Sequence, residues 1–329
     1  MIVDTHCHIV VPEMMSRAVP ESWRPALRRD DGRQVVQFRG RSLTSVRGEF
    51  TDIDVMLEQA AEAGVDHLLL SPWIMLVPVD AGLAEALSVC RVQNEALSRA
   101  AGGSGGRVTA LGAVPLQDAA AAARELEDLM RLPGICGAQV PASVGGSYLG
   151  DDRFLPFWEA AEGTGALVFV HPTTRGLGIP ALDGHYLWNS VGNPLETAIT
   201  AAQMAAAGLL ERHPRLHILL AHGGGALHAV RGRLRRAHAV RDEARADSAA
   251  GPDTSLRRFY FDSLTHDPAL LAGLVAYAGA DHVLLGSDRP FYMGTEHPVE
   301  EIRALGLGAA EQQLILGGNA GRLLRIANA

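Results

Sequence analysis

The stretch "VDTHCH" at residues 3–8 places two histidines, His6 and His8, at the end of a short apolar run. Side chains at positions i and i+2 of a β-strand project to the same side of the sheet. If residues 2–5 begin a strand, both imidazoles therefore point toward one spot, where they can chelate a metal ion. This stretch favours a fold in which the end of the first strand opens onto a site.

Seven further short apolar runs follow the first, and each ends at a polar residue or at Gly or Pro. Strands that are apolar on both faces and that alternate with helical patterns are typical of a buried parallel sheet. Eight such units in 329 residues predict an α/β fold, a (β/α)8 TIM barrel, with a doubly wound sheet as the alternative. The predicted strands are residues 2–5, 67–71, 108–114, 135–140, 167–171, 217–222, 259–264 and 282–287.

Two long segments interrupt the regular alternation of strands and helices. Residues 11–50 are too long for an ordinary strand-to-helix connection and predict an insertion after strand one, near the active-site mouth. Residues 172–194 are rich in glycine and contain Tyr186 and Trp188, which predicts a second long loop at the same end of the barrel. Because no internal repeat or linker separates two halves, we expect residues 1–329 to form a single domain.

The composition narrows the classes of function. The net charge is −8 and no sustained basic run is present, so the sequence predicts no basic surface for nucleic acid or an anionic membrane. A small molecule is therefore the expected partner. No run approaches the roughly 20 apolar residues that cross a bilayer. The chain has three scattered cysteines, no Cys-x-x-Cys pair and no signal-like N-terminus, which together predict a reducing, cytoplasmic location.

All 29 basic residues are arginine, and the chain contains no lysine. Biased codon usage explains such a composition, but the chemical consequence is the same whatever the cause. A Schiff-base lysine, a P-loop lysine and a carbamylated lysine that bridges two metal ions are all excluded.

Histidines and an acid recur at the ends of the predicted strands. His6 and His8 follow the first strand and His171 ends the fifth in "VFVHPTT". His222 ends the sixth in "ILLAHGGG", and Asp288 follows the eighth in "VLLGSD". The carboxyl ends of barrel strands share one mouth, and imidazole with carboxylate is the ligand set of a catalytic zinc or a similar ion. A lone histidine at a strand end is more often structural, but this convergence favours a metal site.

The order of these motifs resembles the amidohydrolase superfamily: "HxH" after strand one, "HP" after strand five, "HGGG" after strand six and "GSD" after strand eight. Within it, "AHGGGALHAVRGR", "FYFDSL" and "VLLGSDRPF" resemble the branch typified by 2-amino-3-carboxymuconate 6-semialdehyde decarboxylase. The similarity covers nearly the whole chain and is weakest over residues 11–50.

By this resemblance His6, His8, His171 and Asp288 are the metal ligands, and His222 and Asp288 are the catalytic residues, with His222 as the acid/base. Members with two metal ions commonly bridge them with a carbamylated lysine, which this chain lacks, so one divalent ion is expected. The histidine-rich set suits Zn²⁺, and Mn²⁺ is the alternative because some relatives of the branch use it. The resemblance also implies a homodimer.

Arginines indicate a negatively charged substrate, because a guanidinium group binds a carboxylate with two hydrogen bonds. Arg233 matches a family position that reaches a substrate carboxylate across a dimer interface, and a plain surface arginine is the alternative. Arg47 resembles a second carboxylate-binding arginine, with Arg39 and Arg41 as competing candidates. The predicted ligand is therefore a small-molecule carboxylate.

Aromatic residues extend this substrate prediction. Trp188 and Phe291 are expected to flank a flat ring, although buried aromatic side chains often serve only the core. Arg289 departs from the branch, which commonly has a different residue there. We expect it either to pair with Asp288 or to bind an additional anionic group.

Three functions fit these residues. The first is a metal-dependent, non-oxidative decarboxylase of a small aromatic or muconate-type carboxylic acid. The second is a mononuclear hydrolase or hydratase on the same scaffold, which would insert solvent oxygen into its product. The third is a catalytically silent barrel that binds without turnover, and the complete set of ligand residues argues against it.

Overall fold

The computed structural model describes residues 1–30, 33–43, 46–174 and 176–326. Its strands are β1 (Val3–Ile9), β2 (Ala26–Asp30), β3 (Arg33–Phe38), β4 (Arg41–Leu43), β5 (His67–Pro72), β6 (Val108–Gly112), β7 (Ile135–Pro141), β8 (Ser143–Val144), β9 (Ser147–Tyr148), β10 (Leu167–His171), β11 (His217–Leu220), β12 (Tyr260–Asp262) and β13 (Val283–Leu284). Its α-helices are α1 (Ile53–Glu62), α2 (Leu83–Gly103), α3 (Ala119–Leu129), α4 (Leu155–Thr164), α5 (Asn193–Ala206), α6 (Leu209–Arg212), α7 (Leu227–Val240), α8 (Pro252–Leu256), α9 (Pro268–Ala278), α10 (Pro298–Arg303), α11 (Ala309–Gln313) and α12 (Asn319–Leu324).

Eight strands form one parallel sheet in the order β1-β5-β6-β7-β10-β11-β12-β13, which confirms the predicted TIM barrel. Each predicted apolar run overlaps one of these strands. The bounds differ at the site end: β1 extends to Ile9, so His6 and His8 lie within the strand and do not follow it. The last strand is shorter than predicted because the residues after Leu284 do not continue its regular pairing with β12.

Local sequence signals account for the helix ends. Asp52 caps α1 by accepting hydrogen bonds from the backbone N–H groups of Asp54 and Val55. The chain breaks between α5 and α6 because Gly208 has a φ of 63° and lies against the backbone of Asp247, where a side chain would not fit. The helices therefore cover the barrel as expected, with a break that one glycine imposes.

The insertion after β1 carries a three-stranded antiparallel sheet in the order β2-β3-β4. Its Phe38 ring lies 5.7 Å from Trp23 and 6.3 Å from Trp73, which follows β5. Aromatic contacts of this kind attach the small sheet to the rim of the barrel. Positions 31, 32, 44 and 45 of the predicted insertion lie outside the described residues.

The first and last strands are joined by buried polar contacts. The backbone N–H of Asp288 donates to the carbonyl oxygen of His6 at 2.7 Å. The carboxylate of Asp4, which is 0% exposed, accepts from the backbone N–H groups of His6 and Ser287 at 3.1 Å each, and from the Ser287 hydroxyl. These contacts set Asp288 beside His6 across the seam of the barrel.

A search of the helices in the described part of the chain found no segment of the length and hydropathy that a membrane span requires.

We expect Asp4→Ala to lower the free energy of unfolding by about 2–4 kcal/mol, because it leaves two buried N–H groups without their acceptor. Urea denaturation followed by circular dichroism measures the change. Asp247→Ala is the matched control, because Asp247 is exposed, and it should cost less than about 0.5 kcal/mol. Equal losses in the two variants would contradict a role for Asp4 in closing the barrel.

Candidate metal centre and cavity

Three histidines and one aspartate meet at the carboxyl end of the barrel. The possible ligand atoms of His6, His8, His171 and Asp288 all lie within 4.8 Å of one another, and all four residues are buried. The Nε2 atoms of His6 and His8 are 3.1 Å apart, and they lie 3.3 and 3.2 Å from Oδ1 of Asp288. Donors bound at about 2.1 Å to one ion are separated by similar distances, so this set fits a single metal ion.

Each of the three histidines has a hydrogen-bond acceptor at its Nδ1 atom. An acceptor there holds the proton on Nδ1 and leaves the lone pair of Nε2 for a metal. The acceptor for His6 is the carboxylate of Asp262 at 2.6 Å, and for His171 it is the carbonyl oxygen of Pro172 at 2.9 Å. His8 has two, the hydroxyl oxygen of Ser71 at 3.0 Å and the carbonyl oxygen of Pro72 at 3.3 Å.

Two atoms of the cluster lack a hydrogen-bond partner although they are buried: Nε2 of His171 and Oδ1 of Asp288. Leaving a buried polar atom without a partner is costly in a folded protein. Both atoms face the other ligand atoms, so a cation among the four side chains would satisfy them together. The residues present therefore fit the metal that the ligand pattern predicts.

The electrostatics of the cluster also favour a cation. Burial alone would lower the pKa of His6, but the carboxylates of Asp288 and Asp262 raise it to about 10. Burial would raise the pKa of Asp288, yet the neighbouring His6 holds it well below its usual range. Burial lowers the pKa values of His8 and His171, which keeps these imidazoles neutral and available as ligands. Both carboxylates thus favour positive charge at His6, Asp262 from the Nδ1 side and Asp288 from the Nε2 side.

Asp262, the last residue of β12, holds two parts of the site together and was missed by the sequence reasoning. Its carboxylate contacts Nδ1 of His6 at 2.6 Å and accepts from the backbone N–H groups of His222 and Gly223 at 2.8 Å each. The available signal was its position, because it is an acid at the carboxyl end of a barrel strand in "FYFDSL".

His222 lies beside the four-residue cluster and faces the open side. Its Nε2 is 3.8 Å from Oδ2 of Asp288, and its ring centre is 5.2 Å from His6 and 5.4 Å from His171. The following glycines let the chain turn sharply here; at Gly225 a Cβ would lie 2.2 Å from the carbonyl oxygen of Pro194. His222 is thereby placed next to the ligands without joining them.

A cavity of about 380 Å³ opens in front of the cluster. Its volume is in the range of small-molecule sites. His8, His171, His222 and Asp288 form part of its lining. Five aromatic side chains form another part of the lining. They come from the insertion, from the segment after β5, from the loop between β10 and α5, and from the segment after β13: Phe38, Trp73, Tyr186, Trp188 and Phe291.

The cavity contains two of the four predicted substrate residues. Trp188 and Phe291 line it, and the Phe291 ring lies 5.4 Å from His8. Arg47 does not line it, since its guanidinium group pairs with Glu296 and lies 5.2 Å from the Tyr292 ring. Arg233 is exposed on α7 and also lies outside this cavity.

Arg41, one of the competing candidates for carboxylate binding, does line the cavity. It is the cross-strand partner of Phe38 in the β3–β4 pair, and such partners project to the same side of a sheet. The third candidate, Arg39, stacks at 3.9 Å over Trp23 and pairs with Asp80 at 2.7 Å. The hairpin geometry therefore selects Arg41.

Arg289 does not pair with the ligand Asp288 as expected. Its guanidinium group donates to the carbonyl oxygens of Gln59 at 2.8 Å and Glu296 at 3.0 Å. It lines a second cavity on the other side of β1, together with Arg47. Its contacts tie the segment after β13 to α1.

Comparisons with known proteins agree with this architecture. The family model described as Amidohydrolase matches residues 3–326. The 2-amino-3-carboxymuconate-6-semialdehyde decarboxylase of Dictyostelium discoideum is 27% identical over 97% of this chain and 90% of its own. The gamma-resorcylate decarboxylase of a Rhizobium species is 28% identical over 83% of this chain and 87% of its own.

Solved structures share the fold over the full length. The 5-carboxyvanillate decarboxylase of Sphingomonas paucimobilis has a TM-score of 0.81 and 25% identity, and the alignment covers 99% of both chains. A dihydroxybenzoic acid decarboxylase from a Polaromonas species, solved with bound manganese and 2-nitroresorcinol, has a TM-score of 0.82 and 22% identity, covering 100% of this chain and 98% of its own.

We expect Asp262→Asn to weaken divalent metal binding by about 10- to 100-fold, because His6 loses the charged acceptor that orients it. Competition with a chromogenic chelator measures the dissociation constant, after elemental analysis has established one ion per wild-type chain. Asp247→Asn is the control for a removed surface charge. Metal affinity equal to wild type in Asp262→Asn would contradict this role.

Proposed function

This chain belongs to the amidohydrolase family, and we propose that it is a metal-dependent, non-oxidative decarboxylase of a small aromatic or muconate-type carboxylic acid. The observation that carries the proposal is the cluster of three histidines and one aspartate that opens onto an aromatic-walled cavity. The matched family is the one predicted from the motifs, and the relatives named above are decarboxylases of such acids.

One divalent ion is the proposed cofactor, held by His6, His8, His171 and Asp288. Three imidazoles and one carboxylate suit Zn²⁺, whereas two of the similar solved structures carry manganese, so both ions belong in the first assays. When bound, such an ion acts as a Lewis acid toward an oxygen of the substrate.

The cavity residues suit a flat, anionic substrate. Trp188 and Phe291 provide aromatic surfaces for a ring, and Arg41 provides a guanidinium group for a carboxylate or another acidic substituent. We assign these three residues to substrate binding.

His222 and Asp288 are the proposed proton carriers. In a decarboxylation the bond between a substrate carbon and its carboxylate breaks, and CO2 leaves. The electron pair of the broken bond stays on the carbon and forms a C–H bond with an incoming proton. The Nε2 atom of His222 lies at the cavity 3.8 Å from Asp288, where it can hold and deliver this proton.

The hydrolase or hydratase alternative uses the same ligands and proton carriers, and the family description itself favours testing it. Both of those reactions place solvent oxygen in the product, whereas loss of CO2 places a solvent proton there. Incubation of a panel of hydroxybenzoates and muconate-type acids in H2¹⁸O distinguishes them. We expect CO2 release without ¹⁸O in the organic product; ¹⁸O incorporation without CO2 would assign the alternative.

We expect His222→Ala to lower kcat by about 10²- to 10⁴-fold while the chain keeps its metal, because the proton carrier is lost and the four ligands remain. His297→Ala is a matched control, since His297 is exposed and does not line the cavity. Loss of the metal from His222→Ala would instead make His222 a ligand.

Arg41→Gln should reduce kcat/KM by about 10- to 100-fold, chiefly by raising KM, because a charge-assisted contact to the substrate is removed. Arg28→Gln, an exposed change in the same insertion, is the control. The same assay with Arg47→Gln and Arg233→Gln tests the residues predicted from sequence. An unchanged kcat/KM in Arg41→Gln would remove Arg41 from the site.

A role for Arg233 requires that it approach the cavity of a second copy, because it lies outside the cavity of its own chain. A homodimer is therefore part of this proposal, and a cytoplasmic location also stays a prediction from sequence. Analytical ultracentrifugation measures whether the chain dimerises, and the Arg233→Gln assay measures whether Arg233 contributes to turnover.

A further inference from the structure

A buried glutamate near the metal centre has no part in the mechanism described above. Glu196 in α5 is 1% exposed. Its Oε1 atom accepts hydrogen bonds from the hydroxyl groups of Ser143 and Thr173 at 2.7 Å each, and its Oε2 atom accepts from the backbone N–H of Thr173 at 2.8 Å. A buried carboxylate is costly unless such donors compensate its lost hydration, so the site has been built around it.

One peptide unit connects this carboxylate to a metal ligand. The unit between Pro172 and Thr173 carries the N–H that donates to Glu196 at 2.8 Å, and it also carries the Pro172 carbonyl oxygen, which lies 2.9 Å from Nδ1 of His171. Because a carbonyl oxygen only accepts, Nδ1 of His171 bears the proton. The lone pair of Nε2 then faces the other ligand atoms, where that atom is buried without a partner.

We propose that Glu196 is a positioning residue that holds His171 in its metal-binding orientation and tautomer through the peptide between Pro172 and Thr173. The carboxylate fixes the plane of this peptide and polarises it, which makes the Pro172 oxygen a stronger acceptor for His171. Asp262 performs the same task for His6 by direct contact. The proposal rests on the metal site of the proposed function.

The path of the following loop gives independent support. At Gly176 an added Cβ would lie 2.2 Å from Oε1 of Glu196 and 1.7 Å from the Thr173 hydroxyl oxygen. The chain therefore folds back directly over the carboxylate, which any side chain at that position would displace. The same loop supplies Thr174, Tyr186 and Trp188 to the cavity wall.

Glu196 accepts hydrogen bonds from both the hydroxyl group and the backbone N–H of Thr173. Variants that remove one contact and keep the other distinguish the orientation of His171 from simple anchoring of the loop. Thr173→Val removes the hydroxyl contact but keeps the N–H that carries the connection to His171. Thr173→Ser keeps both contacts and controls for the substitution itself. Glu196→Ala removes both, whereas Glu196→Gln retains an amide oxygen that accepts from the N–H without a negative charge.

The experiment measures the dissociation constants of Zn²⁺ and Mn²⁺ by chelator competition on the full, metal-stripped chain, with circular dichroism to show that each variant is folded. We expect about 10- to 100-fold weaker binding in Glu196→Ala and an intermediate loss in Glu196→Gln. Thr173→Val and Thr173→Ser should stay within about twofold of wild type, because the N–H contact remains. Glu159→Ala, an exposed change on α4, controls for lost charge.

Metal affinity in Glu196→Ala equal to that of wild type would overturn the proposal. A loss of metal affinity in Thr173→Val as large as that in Glu196→Ala would also overturn it, because it would indicate that Glu196 only anchors the loop. If Glu196→Ala does not fold, weaker binding by Glu196→Gln than by Thr173→Val supports the proposal and the reverse order overturns it. Absence of metal binding by the wild-type chain would instead refute the proposed function, so the two failures are distinguishable.

Discussion

The contact between the first and last strands is the constraint on which the site depends. Two of the four ligand side chains lie in β1 and a third follows β13, so the cluster exists only when the barrel closes there. The N–H of Asp288 bonds to the His6 carbonyl oxygen at 2.7 Å, and Asp4 binds Ser287 across the same seam. Residues more than 280 positions apart in the sequence are thus adjacent.

The cluster also shows how polar atoms are retained in the interior of a barrel. Each ligand histidine has one nitrogen satisfied by the fold and one directed at its neighbours. The acceptors differ in kind, because His6 uses a carboxylate whereas His8 and His171 use uncharged hydroxyl or carbonyl oxygens. A charged acceptor raises the basicity of its imidazole, so the three ligands are not equivalent even though their residue type is the same.

The sequence supported the barrel and the convergence of histidines at its mouth because both follow from short-range patterns, whereas the choice of four residues as ligands followed from the family resemblance. Every predicted run overlaps a strand of the sheet, and the four residues that the resemblance implied as ligands are those whose possible ligand atoms converge. Strand bounds were less accurate. Hydrophobicity does not reveal that β1 continues through His6 and His8, nor that β13 ends at Leu284, because both outcomes depend on pairing with neighbouring strands.

The residues that sequence reasoning missed are those defined by long-range contacts. Glu196 is an ordinary acid in sequence and Asp262 is marked only by its position in a predicted strand, whereas their contacts with the backbone of Thr173 and His222 identify both as supports of the site. Among the insertion arginines, spacing could not separate Arg47 from Arg41. The β3–β4 register decides in favour of Arg41 at this cavity, because it places that side chain opposite Phe38.

The sequence by itself determined the architecture and the order of the ligand residues, since alternating strands and helices can bury their apolar faces as a barrel whose strand ends share one mouth. The absence of lysine likewise excluded a carbamylated lysine as a bridge between two metal ions without reference to any coordinates. Only the tertiary structure decided which acids orient the histidines and which arginine faces the cavity. The physical reason is that side-chain direction and hydrogen-bond partners depend on segments that lie far apart in the chain and meet only when the barrel has closed.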